Sequence, residues 1–503
     1  MTSHFPLRTF ALGALISATV ITTPASANRW EFRPSIGVDQ RFDDNFSLVP
    51  ILEDRIASTR VIGDLGLARE TATTSIEGIL RADLRLEFGD DEDTVPVFNG
   101  LALLDLERRF KRASTNLDLR LTQDTPGNDT VTDVTDRRNV AVDTGLVVDS
   151  FDVERLRFDA IPSFRYELSR RSTILGQVSY STVQHETPSP ADAIFAQYSL
   201  LLTNVDAEGN TPTPESNPEL FDENGDPFNR DNVSIDQTGV FTPTGELDDF
   251  QDIGIQLGYR YQCNRRTNIS ATVSFSVFEA NEEVDPSALT FDDLIPDSDE
   301  VQIVRAPRRD TEDTTARLVF GLERELSQTL LLGFQAGVFN NTSDDTELFR
   351  LPDGSLSTAE PTEFDDTGFL ASISLEKDAG LTKYSARFAV DVQSSSAGSR
   401  VETNEFTAQV LRTLSPRLDV SLRGQAFEPD RLGAAEDDRF ARRFISIEPR
   451  VIWRFARDWN LGASYRYRRQ RAAVDDTSSE SNAFLISVRY TPPSRIRDFR
   501  DNI

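Results

Sequence analysis

The sequence predicts an all-β protein whose mature chain forms a transmembrane antiparallel up-and-down β-barrel of about 18 strands. Three observations lead to this prediction. Apolar and polar residues alternate along many short segments, the connections between segments are alternately short and long, and no apolar run reaches the roughly 20 residues that a membrane-spanning helix needs. Short periplasmic turns and long extracellular loops are the usual topology of bacterial outer-membrane barrels.

The alternation is clearest between residues 440 and 490. The first strand of this stretch carries its apolar residues on one parity, namely Ile445, Ile447, Val451, Trp453 and Phe455. Charged residues such as Glu448 and Arg450 take the other parity. After the turn at Arg457-Asp458 the pattern resumes, and a final run ends on the aromatic Tyr490. Strands of this kind present an apolar face to lipid and a charged face to a lumen.

The N-terminus has the features of a secretory signal peptide. Arg8 supplies a positive charge, residues 10–21 form an apolar run, and Ala25-Ser26-Ala27 offers a small-residue cleavage site. The predicted organisation is therefore a signal peptide over 1–27, an outer-membrane β-barrel over 28–491 and a periplasmic tail over 492–503.

Periodicity and turn residues together predict eighteen strands. Among these eighteen are strands near 314–324, 329–340, 363–375 and 402–411. Residues 139–148 also alternate, but a strand there would put the long segment after Gln184 on the side of the tight turns. We therefore expect 124–153 to be a long external loop and 185–247 to be the longest extracellular loop.

Composition narrows the range of partners. The net charge of −30 argues against nucleic acid or an anionic surface as a partner. Long acidic loops outside a barrel account for this charge, because only the outward half of each strand must be apolar. Cys263 is the single cysteine, so no internal disulfide can form.

Four segments carry a resemblance to a known family: Pro34-Ser35-Ile36-Gly37-Val38, Phe42-Asp43-Asp44-Asn45-Phe46, Asp143-Thr144-Gly145-Leu146-Val147 and Pro162-Ser163-Phe164-Arg165-Tyr166-Glu167-Leu168-Ser169. They resemble the β-barrel porins of exopolysaccharide and exosortase-associated loci, and the Asp-Asp-Asn segment is the most specific. The resemblance implies a Gram-negative outer-membrane protein linked to polysaccharide export components. It brings no catalytic residues, and the long loop after Gln184 departs from it.

An enzymatic site is not expected. Outer-membrane barrel enzymes with Ser-His or Asp-His chemistry need a histidine, and the mature chain has only His185, with Ser181 or Asp192 as sequence neighbours. An ordinary loop histidine is the simpler reading. The carboxylates Asp83 and Glu87 alternate with arginines, which keep them ionised.

The predicted function is a porin-like channel for passive passage or export of hydrophilic solutes, with anionic saccharides as one candidate. A barrel of this size leaves an aqueous lumen unless loops close it. The residues expected to line the pore are Arg81, Arg85, Arg165, Arg260, Arg450, Arg454, Arg466 and Arg468. The alternative is a non-conducting barrel that displays acidic loops as an adhesin or scaffold.

The last four of these arginines form a predicted basic ladder, because Arg450, Arg454, Arg466 and Arg468 share the lumen parity of two neighbouring strands. Two interpretations are open. The ladder could guide anionic solutes, since guanidinium groups bind carboxylates and phosphates bidentately. Alternatively, Glu448 and acids across the lumen neutralise it and its role is structural.

One loop segment has a weak calcium signature. Asp222, Asn224 and Asp226 place oxygen ligands at alternate positions, but Pro227 stands where a calcium loop has glycine. No other cofactor is expected. The expected partners are outer-membrane lipid, lipopolysaccharide and the barrel assembly machinery.

Overall fold

The computed structural model describes residues 29–44, 55–88, 95–124, 155–185, 249–281, 296–297, 300–301, 308–350, 356–358, 362–394, 400–431, 442–472 and 478–498. Nine long strands form the first half: β1 Arg29–Asp43, β2 Ile56–Glu70, β3 Thr74–Phe88, β4 Val95–Arg109, β5 Ala113–Asp124, β6 Arg155–Glu167, β7 Ser172–His185, β8 Asp249–Asn264 and β9 Thr267–Asn281. Nine more form the second: β10 Arg308–Ser327, β11 Leu330–Arg350, β12 Thr362–Asp378, β13 Thr382–Ser394, β14 Arg400–Ser415, β15 Leu418–Arg431, β16 Arg442–Ala456, β17 Trp459–Ala472 and β18 Ser478–Tyr490.

Each long strand pairs antiparallel with the next, and β18 pairs with β1, so the sheet closes on itself. In this closing pair Phe42 lies opposite Phe484 and Val38 opposite Val488. The predicted antiparallel barrel of eighteen strands is confirmed. No helix among the described residues is long and apolar enough to cross a membrane.

The two-residue period of the strands separates an apolar exterior from a polar interior. Val38, Val61 and Leu84 lie side by side across β1, β2 and β3 and stay more than 40% exposed on the outer face. Ile62, one residue from Val61, faces inward and is 2% exposed. The outer surface carries large apolar side chains, which the surface of a soluble protein rarely does. This surface is compatible with lipid.

The tight turns lie at one end of the barrel, here called the short-turn end, and the opposite end is the long-loop end. Gly380, between β12 and β13, has a φ of 75°, which a side chain would disfavour. Its backbone N–H donates to the Asp378 carboxylate at 3.0 Å, which fixes the turn.

Aromatic rings gather at the short-turn end of β16, β17 and β18. Trp453, Phe455, Trp459 and Tyr490 form a chain of contacts with ring centroids 4.9 to 6.3 Å apart. Rings with this placement suit the boundary between hydrocarbon and water.

Two strands extend further at the long-loop end than the sequence pattern predicts. Arg308–Asp313 of β10 pair with Leu348–Ser343 of β11, so the predicted bounds of these strands, 314–324 and 329–340, are too short. The predicted tail also contains a short strand, Arg495–Asp498, which pairs with the start of β1. The predicted signal peptide, and the loop residues 125–153 and 186–247, lie outside the described residues.

Candidate functional site: the barrel interior

The interior has two chemically different walls. The inward faces of β16–β18 and β1–β6 carry many arginines and aspartates, and we call them the charged wall. The inward faces of β8–β15 carry serine, threonine, glutamine and glycine, and we call them the hydroxyl wall. The two walls differ in how their polar groups are used.

On the charged wall, Asp43 is the centre of a buried network at the seam between the first and last strands. Its carboxylate accepts hydrogen bonds from Arg41 at 2.5 Å, Arg468 at 3.0 Å and Ser481 at 2.6 Å. Arg468 also donates to Ser481 at 3.0 Å. Because the Asp43 side chain has no exposed surface, its negative charge depends on these donors.

Similar pairs continue around the charged wall. Arg60 donates to Asp83 at 2.9 Å, and Asn99 donates to the other oxygen of Asp83 at 3.2 Å. Arg155 forms a two-point bond to Asp124, with both distances 3.0 Å. These groups are largely buried, so their charges interact with one another rather than with solvent.

A cavity of about 1080 Å³ lies against the hydroxyl wall. On β13 it extends from Ser385 to Asp391, which spans about 20 Å at the usual strand rise. Its hydroxyl and amide lining comprises Gln256, Asn268, Ser270, Thr272, Gln335, Ser372, Ser374, Ser385, Thr403, Thr407 and Gln409. Such groups form hydrogen bonds with water and with polar solutes without carrying net charge.

Small inward residues keep this cavity open. Gly321 and Gly333 line it, and a Cβ at either position would collide with the hydroxyl oxygen of Ser270 or Ser374 on the neighbouring strand. Inward positions of the charged wall often carry an arginine or aspartate, whereas these two glycines have no side chain. The available space therefore follows from residue size.

Charged groups of the cavity fall into paired and unpaired sets. Arg260 forms a close ion pair with Glu323, which also accepts from Asn268 at 3.3 Å. Asp391 also lines the cavity and pairs with Arg317 at 3.3 Å. The four other charged residues of the cavity lie on consecutive strands with alternating sign: Glu376, Arg387, Glu405 and Arg423.

Most of the pore-lining arginines expected from sequence lie on the charged wall. Arg81 donates to Asp64 at 2.6 Å, and Arg85 is 3% exposed. Arg165 is exposed near the short-turn end, 3.9 Å from Glu167, and lines a second cavity of about 370 Å³. Arg260 lines the main cavity.

The arginines of the predicted ladder face inward but have protein partners. Arg468 is held by the Asp43 network, and Arg454 pairs with Asp419 and donates to the Pro416 carbonyl at 3.2 Å. Arg450 lies opposite Ser464, and the same register places Arg466 opposite Glu448. The acids beside Arg454 and Arg468 lie on nearby strands rather than across the lumen, and both interpretations of the ladder stay predictions.

Glu376 and Glu405 were missed among the residues that the sequence predicts to line the pore. Glu405 shares the inward parity of Thr407 on β14, so strand parity could have found it. Glu376 lies one residue beyond the predicted end of its strand, which the structure extends to Asp378.

The sequence also offered candidate residues for calcium binding and for histidine-dependent catalysis. Asp222, Asn224, Asp226 and Asp192 lie outside the described residues. Within the described ranges, no group of three or more His, Cys, Asp or Glu side chains is arranged to hold a metal ion. The Ser181 hydroxyl donates to Asp159 at 2.6 Å.

Comparisons with known proteins concern the fold only. No family model matches the chain, and no curated protein matches it. Solved structures with a similar fold include the ferric-catecholate import receptor Fiu of E. coli K12 in its open form, with a TM-score of 0.42, 11% identity and coverage of 91% of this chain and 81% of that one. OccAB4 of Acinetobacter baumannii has a TM-score of 0.40 and 10% identity, with coverage of 94% of this chain and 100% of that one. OpdK of Pseudomonas aeruginosa with vanillate has a TM-score of 0.37 and 10% identity, with coverage of 92% of this chain and 99% of that one. At these values, function must be argued from the geometry of this chain.

Proposed function

We propose that the protein is an outer-membrane channel through which hydrophilic solutes diffuse. The observation that carries this proposal is the polar cavity of about 1080 Å³ inside a closed barrel whose outer face is apolar. A closed sheet satisfies its backbone hydrogen bonds internally, as a hydrocarbon environment requires. An interior lined with hydroxyl, amide and charged groups then provides a path for water and polar molecules.

The signal sequence and the aromatic rings at the short-turn end support an outer-membrane location after signal peptide removal. In this membrane the short-turn end faces the periplasm. Insertion would require the barrel assembly machinery, and the long-loop end would meet lipopolysaccharide. Calcium bridging between acidic loops and lipopolysaccharide is a further element of the proposal, with Asp222, Asn224 and Asp226 as candidate ligands.

Saccharides are the solute class that we propose for uptake or export. Neutral hydroxyl and amide groups such as Thr272, Ser372 and Gln409 match the hydrogen-bonding groups of a sugar. The resemblance to exopolysaccharide-associated barrels supports the same class. An anionic saccharide would meet Arg387 and Arg423 in the cavity, because Asp419 and Asp43 hold Arg454 and Arg468.

Planar-bilayer recording tests the channel proposal against the adhesin or scaffold alternative. The purified protein, folded in detergent and checked by its heat-modifiable migration on a gel, is added to a bilayer in 1 M KCl. We expect stepwise increases in current. A folded protein that inserts without any current would favour the scaffold alternative.

A further inference from the structure

Glu376, Arg387, Glu405 and Arg423, here called the charge quartet, lie on β12, β13, β14 and β15 and line the main cavity. Strand register brings Glu376, Arg387 and Glu405 near one another, and Arg423 lies on the next strand, opposite Gln409 and Glu448. Arg387 lies opposite Ser374 and Thr407, which places it diagonal to Glu376 on one side and to Glu405 on the other. Diagonal neighbours on one sheet face are about 7 to 8 Å apart.

The quartet differs from the charged wall because its four side chains do not form ion pairs with one another. Within the part of the chain that the structure describes, none of the four forms an ion pair. Glu405 accepts one long hydrogen bond, 3.5 Å from Gln425, and experiences the charges of Arg387, Arg423 and Asp391. Two positive and two negative groups thus remain available to a molecule in the cavity.

We propose that the charge quartet is a binding site for zwitterionic solutes, molecules that carry an ammonium group and a carboxylate or phosphate. This inference rests on the proposed function, because the solute must reach the lumen. A guanidinium group binds a carboxylate in two-point geometry, while Glu376 or Glu405 pairs with the ammonium group. Ser385, Thr407 and Gln409 line the same region and offer further hydrogen bonds.

Charge balance explains the preference for zwitterions. A dianion that approaches Arg387 is repelled by Glu376 and Glu405, and a dication that approaches either carboxylate is repelled by the arginines. Only a solute with both signs finds attraction at both ends. A neutral sugar gains hydrogen bonds here but not the stronger charge-assisted ones.

A set of probes with one chain length tests this inference. Single-channel current is recorded while 6-aminohexanoate, adipate or hexane-1,6-diamine is added at increasing concentration. Because 6-aminohexanoate can form a charge-assisted contact at both ends and each of the other two probes at only one, it should reduce the current at a concentration about tenfold lower than they do. Equal effects of all three probes, or a stronger effect of adipate or of hexane-1,6-diamine, would overturn the site.

Substitutions in the quartet give a second readout. Glu405→Gln should make adipate the strongest blocker and shift the reversal potential in a KCl gradient toward anion selectivity. Arg387→Gln should favour the diamine and shift it toward cations. Glu480→Gln, on the outer face and 3.6 Å from Arg469, removes the same charge outside the lumen and should change neither. If both quartet variants conduct and behave like Glu480→Gln, the site is refuted. Absence of current in the unmodified protein would instead refute the channel.

Discussion

The Ser481 hydroxyl donates a 2.6 Å hydrogen bond to the Asp43 carboxylate, joining the last strand of the barrel to the first. The next residues repeat the connection, because Asp44 accepts from the backbone N–H of Asn482 at 2.6 Å and from its side-chain amide at 2.8 Å. These two aspartates belong to the Asp-Asp-Asn segment that carries the family resemblance. Their geometry gives the segment a structural role, which is to hold the seam of the barrel at the long-loop end.

Replacing Asp43 by Asn should weaken this seam. The substitution removes the negative charge of Asp43 beside the buried guanidinium groups of Arg41 and Arg468, and breaking a buried pair in this way costs about 3–5 kcal/mol. We expect the heat-modifiable gel form to unfold at a lower temperature and urea unfolding in detergent to shift to lower concentration.

The matched control for the seam is Glu428→Gln, which removes a carboxylate from an exposed 2.6 Å pair with Arg443. Exposed pairs contribute at most about 1 kcal/mol, so this variant should unfold almost like the unmodified protein. Equal stability of the Asp43→Asn and Glu428→Gln variants would contradict the role of Asp43 in the seam.

A second stability prediction concerns Gly368. A Cβ added there would lie 2.5 Å from the ring of Phe339, which packs in an inward-facing cluster with Leu370 and Val392. Gly368→Ala should displace this ring and cost about 1–3 kcal/mol in urea unfolding. Gly424→Ala is the control, because nothing lies within 4 Å of its added methyl group. Similar losses in both variants would point to a general strand effect.

Strand parity was predictable because lipid and lumen impose opposite chemistry on neighbouring residues. The alternation of Ile445, Ile447 and Val451 with charged residues leaves no other arrangement in a barrel. The outer ends of β10 and β11 were not predictable in this way. Their pairing continues through Thr311, Asp313 and neighbouring polar residues, where no apolar face distinguishes strand from loop.

The candidate site was predictable only in part. Parity placed the arginines inside the barrel, but it could not tell which of them have partners. Arg468 meets Asp43 across 425 residues of sequence, and only the closed register of the barrel brings them together. For the same reason, sequence alone could not tell the buried charges of one wall from the accessible charges of the other.

Selectivity measurements can separate the two walls. In the double variant Arg454→Gln, Arg466→Gln, both changes fall outside the main cavity, and Arg454 already has an acidic partner. We expect its reversal potential in a KCl gradient to match that of the unmodified protein, in contrast to Arg387→Gln. A shift toward cations in the folded, conducting double variant would restore the arginine ladder as a path for anions.

If the cavity along the hydroxyl wall is the aqueous path, two tryptophan variants on β13 should differ in conductance. Ser385 faces the cavity, whereas Phe388, three residues later, lies on the outer face. Because an aqueous path in a barrel of this size depends on space that side chains leave open, Ser385→Trp should lower single-channel conductance about twofold or more, and Phe388→Trp should leave it unchanged. Both proteins should keep heat-modifiable migration. If the folded Ser385→Trp variant conducts like Phe388→Trp, solutes do not pass along this wall, and the proposed aqueous path is wrong.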